Sequence, residues 1–168
     1  MSSSEPPGLF DACTPREDVL DGTLQEDQFA ASLATVAHSP DDAAPVYRDV
    51  AQFFDMTYPT AGLQTLLSNL AGRFLAGGGQ DSGGYSSSIL CLDTRFGGGK
   101  THDLIASYHL ATNPTAIEDI QRHLVDGASE VGSSYLDAVD DGLSVDTSVF
   151  VGGHVDARNA RSDRTDPD

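Results

Sequence analysis

The chain has 168 residues, enough for one ordinary domain with a buried core, and a formal charge of −17 from 26 acidic against 9 basic residues. The split within each sign is uneven, with 21 Asp to 5 Glu and 8 Arg to a single lysine, Lys100. A balance this acidic excludes a protein that grips DNA, RNA or an anionic membrane over a broad basic face, and leaves room only for a small local cationic site.

No stretch approaches the roughly 18 apolar residues of a membrane span, and the N-terminus lacks the basic and apolar regions of a leader, which predicts a soluble cytoplasmic protein without a membrane partner. Cys13 and Cys91 lie far apart without metal-ligand neighbours and read as free thiols. The excess of Asp and the near absence of Lys suit a protein that works at molar salt, where screening relieves self-repulsion and hydrated carboxylates keep chains apart.

In chain order, residues 1–14 read as a disordered lead, rich in Ser, Pro and Gly. Residues 15–58 read as a helical N-terminal segment. Within it Phe29, Leu33 and Val36 recur at helical spacing over 26–37, and Val46, Tyr47, Val50, Phe53 and Phe54 form a second short pattern. The clearest helix starts after Thr60, a plausible N-cap, with the buried stripe Leu63, Leu66, Leu67, Leu70 and Phe74, and it stops at Gly77. The glycine-rich run 77–84 lacks a basic residue and reads as a surface loop.

Residues 87–93 predict a short buried strand, and 101–111 a helix with Leu104, Ile105, Tyr108 and Ala111 on one face. A further helix is expected over 116–125 with Ile117, Ile120 and Leu124 inward, a weaker one over 134–139, and a second strand over 147–153. Asp137, Asp140, Asp141 and Asp146 read as a solvated acidic surface, and the Arg/Asp-rich stretch 157–168 as a disordered tail.

Strand, glycine-rich turn, Gly-Lys-Thr and amphipathic helix, in that order, form the layout of a phosphate-binding loop. Glycines let the backbone curl so that several N–H groups converge on phosphate oxygens, and the helix start adds its unpaired amides and positive dipole end. On this pattern Phe96, Gly97, Gly98, Gly99, Lys100, Thr101 and His102 are the candidate nucleotide-binding residues. The Lys100 ammonium would reach the β and γ phosphates of ATP, and the Thr101 hydroxyl would hold Mg²⁺. Gly99, Lys100 and Thr101 fill the last three places of G-x-x-x-x-G-K-[ST], whereas Thr94 stands where the first glycine belongs. The competing reading is a glycine-rich turn with an incidental lysine. Arg95 is either a phosphate contact or an exposed side chain, and His102 and His109, seven residues apart, read as a solvated pair on one helix face.

The run 56–60 (Met-Thr-Tyr-Pro-Thr), the helix 63–70 and the segment Leu-Asp-Thr-Arg-Phe-Gly-Gly-Gly-Lys-Thr-His at 92–102 resemble the large AAA-type ATPases filed as domain of unknown function 499. The resemblance covers roughly residues 15–156. It implies an α/β fold, with 59–156 as the N-terminal part of a P-loop ATPase domain whose sheet is incomplete. It also implies ATP and Mg²⁺ as ligands, a phage-defence setting in haloarchaea, and a DNA methylase, further ATPase sequence or other protomers as partners. A hydrolysing enzyme of this kind needs a water-activating acidic residue and an arginine finger. Asp156, set off from the strand by Gly152, Gly153 and His154, reads as a turn or edge residue, so the catalytic residues are expected outside this chain. The alternative is a truncated remnant or interaction module without ATP turnover. A small-molecule phosphotransferase on the same loop is a third possibility.

Overall fold

The computed structural model describes residues 17–22, 31–93 and 99–151. The chain falls into two units, Met1–Ala30 and Ala31–Asp168. In the first, α1 is a single turn, Glu17–Leu20, with Val19 and Leu20 exposed.

The second unit is built from helices whose starts follow local chemistry. Ser32 opens α2 (Leu33–His38) by accepting the Thr35 amide on its hydroxyl. A 3₁₀ turn at Pro40–Asp42 leads to α3 (Pro45–Arg48). Asp49 then interrupts the helical run and caps α4 (Val50–Met56), its carboxylate accepting the Gln52 amide at 2.9 Å. Thr60 caps α5 (Ala61–Gly77) as its sequence position suggests, accepting the Leu63 amide at 3.3 Å. The second long element, α6 (Lys100–Thr112), follows Gly99, and the third, α7 (Ser129–Asp140), closes the set.

The three long helices pack on one another through α5, which meets both α6 and α7, while α6 also meets α2 and α4. One apolar core runs through them, with Phe53 and Phe54 from α4, Leu63, Leu67 and Leu75 from α5, Ile105 and Leu110 from α6, and Tyr135 from α7. Helices on either side of Pro59 therefore share a core. None of the helices described is long and apolar enough to cross a membrane.

The α/β expectation is corrected here, because the described residues contain no strand. Residues 87–93 carry no regular structure, and neither do 147–151, the described part of the second expected strand. Strand preference is realised only through a hydrogen-bonded neighbour and a packed face. Here the core is filled by helices, and Ile89 and Phe150 stand 88% and 72% exposed. The architecture of the described residues is helical, not a partial P-loop sheet.

The helix expected over 116–125 is instead a pair of 3₁₀ turns, Pro114–Ala116 and Ile120–His123. Asp119 between them has a φ of 48°, which an α-helix cannot accommodate. The inward residues are nevertheless as expected, since Ile117, Ile120 and Leu124 are all buried. The weak helix expected over 134–139 is longer, beginning at Ser129. The expected lead and tail, together with Cys13 and Phe29, lie outside the described residues.

Candidate functional site

The candidate site forms around the start of α6. Gly99 precedes the helix with φ 77° and ψ 7°, a left-handed conformation that glycine reaches without a Cβ penalty. It brings no capping side chain. The first intrahelical bond runs from the Asp103 amide to the Gly99 carbonyl at 2.9 Å, so the amides of residues 100, 101 and 102 have no carbonyl acceptor within the helix. Lys100 and Thr101 occupy the first turn, Lys100 half-buried and Thr101 exposed. A left-handed glycine, first-turn amides without an intrahelical acceptor and an ammonium suit phosphate oxygens, and the hydroxyl oxygen suits a magnesium ion. Phe96, Gly97 and Gly98, like Thr94, Arg95, His154 and Asp156, lie outside the described residues.

His102 sits in the same turn, and its side chain is engaged by α4. Its ring stacks on Phe53, with centroids 4.5 Å apart and planes 28° from parallel. Its Nε2 lies 2.9 Å from Thr57 Oγ1. The Thr57 hydroxyl donates its own proton to the Phe53 carbonyl at 2.6 Å, so it can only accept from His102. The His102 Nε2 therefore carries the proton. Burial pulls the His102 pKa below the ordinary histidine value, and the neighbouring Asp103 carboxylate opposes this. Burial also raises Asp103 above the usual carboxylate range, with His102 opposing.

His109, two turns further on, lies on the same face and is 3% exposed. Its Nε2 donates to the Tyr47 carbonyl at 2.8 Å, and its ring meets the edge of Phe53 at 5.3 Å. Burial lowers its pKa, against the Tyr47 hydrogen bond and the charge of Asp49. The shared face of His102 and His109 is as the spacing predicts, but a solvated pair is not what forms. Two rings packed on Phe53 replace it, because the apolar face of α6 is rotated from the one expected. Ile105, Ala106, His109 and Leu110 are buried, and Leu104 is 44% exposed.

His123 completes this aromatic cluster, its ring 4.9 Å from Phe54. It is 1% exposed, and its Nδ1 has no hydrogen-bond partner among the described residues. Burial lowers its pKa and the Arg122 charge adds to the effect, with Asp119 opposing. Sequence reasoning missed Thr57 and Phe53 as supports of the candidate site. The adjacent Phe53 and Phe54, set against histidines at seven-residue spacing, were the available signal. Among the described residues no three His, Cys, Asp or Glu side chains gather as a metal site, and the four acidic residues of 137–146 are exposed.

A sequence model of the family described as the DUF499 N-terminal domain matches residues 10–146. No curated protein and no solved structure matches the chain.

Proposed function

Because the chain belongs to the DUF499 N-terminal domain family, we propose that it binds Mg·ATP at the start of α6 as the nucleotide-binding portion of an ATPase. The observation that carries this reading is the junction at residues 99–101. A left-handed, side-chain-free Gly99 leads into a first turn bearing the single lysine of the chain and an exposed threonine. Lys100 neutralises the β and γ phosphates, the Thr101 hydroxyl holds the metal ion, and the amides of the turn donate to the remaining phosphate oxygens with the helix dipole behind them. Mg·ATP supplies the phosphoanhydride bond whose cleavage would drive work. The reading concerns the loop and the helix start alone and requires no strand. Its phage-defence setting and DNA-methylase partner rest on family resemblance.

The test is titration of the purified chain with Mg·ATP in molar KCl, beside Lys100→Ala. The wild-type chain should bind and the variant should bind about tenfold more weakly or worse, the loss expected when a charge-assisted contact is removed. Equal binding by both, or none by either, overturns the proposal.

A further inference from the structure

The first turn of α6 is the turn that α4 grips. Thr57, at the end of α4, is 2% exposed, and its hydroxyl joins two elements by donating to the Phe53 carbonyl and accepting from His102. Phe53, 1% exposed, presents its ring to His102 from below. His102 is thus held in direction by a hydrogen bond and in height by a stack. It is the third residue of the helix, and its backbone amide is among those left without an intrahelical acceptor. Any rotation of this turn that moved the amides of 100–102 would have to break the bond to Thr57 or slide the imidazole off Phe53.

We propose that Thr57 is a positioning residue for the phosphate site, acting through His102 to fix the first turn of α6 in the orientation that phosphate requires. This rests on the reading of residues 99–101 as a nucleotide site and adds what holds that site in register. Binding of a triphosphate needs convergent donors held within about half an ångström, and such precision comes from the groups behind the donors. The residue does not touch the ligand.

Thr57→Val removes the hydroxyl while keeping the shape, and Thr57→Ser restores it. Titration with Mg·ATP in molar KCl, at a temperature where all variants are folded, should give about tenfold weaker binding for Thr57→Val, in the range seen when a supporting partner is lost, and near wild-type binding for Thr57→Ser. Leu67→Ala, which empties part of the core on α5, is the control for stability. It should lower the melting temperature at least as much and leave affinity unchanged, a separation that a merely structural Thr57 would not produce. If Thr57→Val does not fold, His102→Phe keeps a ring on Phe53 and removes only the donor, and it should weaken binding to a similar extent. Absence of Mg·ATP binding by the wild-type chain overturns both this inference and the nucleotide site. Wild-type binding that Thr57→Val, or in its place His102→Phe, leaves intact overturns this inference alone.

Discussion

His109 donates its Nε2 proton to the carbonyl of Tyr47 across 2.8 Å, tying the last turn of α6 to α3 from a position that is 3% exposed. The neutral ring suits this site, and burial keeps its pKa below the ordinary value despite the Tyr47 bond and Asp49. His102 and His123 are shifted the same way, burial being the largest cause in each. Unfolded histidines take up protons near pH 6.5, whereas these three resist protonation while the chain is folded. Over that window the unfolded state binds more protons, so stability rises with pH and is lost as pH falls below about 6.5. Asp103 works with the opposite sign, since its raised pKa lets the folded chain keep a proton longer, and its effect begins at the ordinary carboxylate value and runs upward from there. Urea midpoints at constant salt should therefore change little from about pH 7.5 to about 6.5 and fall from there to about pH 5.5. A flat profile would contradict the neutral-histidine cluster.

Tyr135 should be the most costly hydroxyl to remove from the core. It is fully buried on α7 and donates to the Leu110 carbonyl at 2.8 Å, joining α7 to α6. Burial raises its pKa well above the usual phenol range, so no alkaline transition from this group is expected below pH 10. Tyr135→Phe leaves a buried carbonyl acceptor unpaired and should cost about 1–2 kcal/mol. Urea unfolding with an unchanged slope would report this as a loss of stability rather than of compactness.

What the sequence made legible follows a physical division. Helices α5 and α6 were readable because amphipathic spacing over three or more turns is a local property, and Thr60 announced its cap. The burial of Ile117, Ile120 and Leu124 was readable too, although their backbone is not α-helical, because burial depends on apolar character and the turn depends on Asp119. The two expected strands, over 87–93 and 147–153, failed because a short apolar run cannot reveal whether a partner strand is present. At the candidate site, the motif identified Lys100 and Thr101 but not their support. Thr57 lies 45 residues from His102, and only the packing of α4 on α6 brings them together.

Two glycines on α5 should respond to alanine in opposite directions. Gly72 faces the 83–93 segment, and a Cβ there would collide with the Tyr85 carbonyl and approach the Tyr85 Cβ to 2.7 Å. Gly62 has open space around it and is exposed. Gly62→Ala should gain a few tenths of a kcal/mol to about 1 kcal/mol from helix propensity alone. Gly72→Ala gains the same propensity but must displace backbone, and overpacking of that kind costs about 1–3 kcal/mol, so the net should be a loss. Equal stabilisation by both would show that Tyr85 does not rest on α5.

The acidic surface makes salt an external lever on stability. Asp137, Asp140, Asp141 and Asp146 are all exposed, and the pair Arg48–Asp41 spans 4.0 Å between exposed side chains, a geometry worth little. With a net charge of −17, the folded chain should be self-repelling in dilute buffer, where charges interact over about 30 Å, and relieved near 1 M, where that range shrinks to about 3 Å. Melting temperature should rise with KCl. Two mechanisms predict a rise, and they separate by curvature and by mutation. Screening gives most of its effect at the first few tenths molar, while exclusion of salt from the surface continues to strengthen apolar burial at higher concentration. Replacing Asp140 and Asp141 by Asn should raise the melting temperature in low salt and change little in molar KCl if repulsion is the cause. An equal shift at both concentrations would overturn repulsion as the cause, because general repulsion and the unfavourable contact of both carboxylates with the negative end of α7 are screened by salt alike.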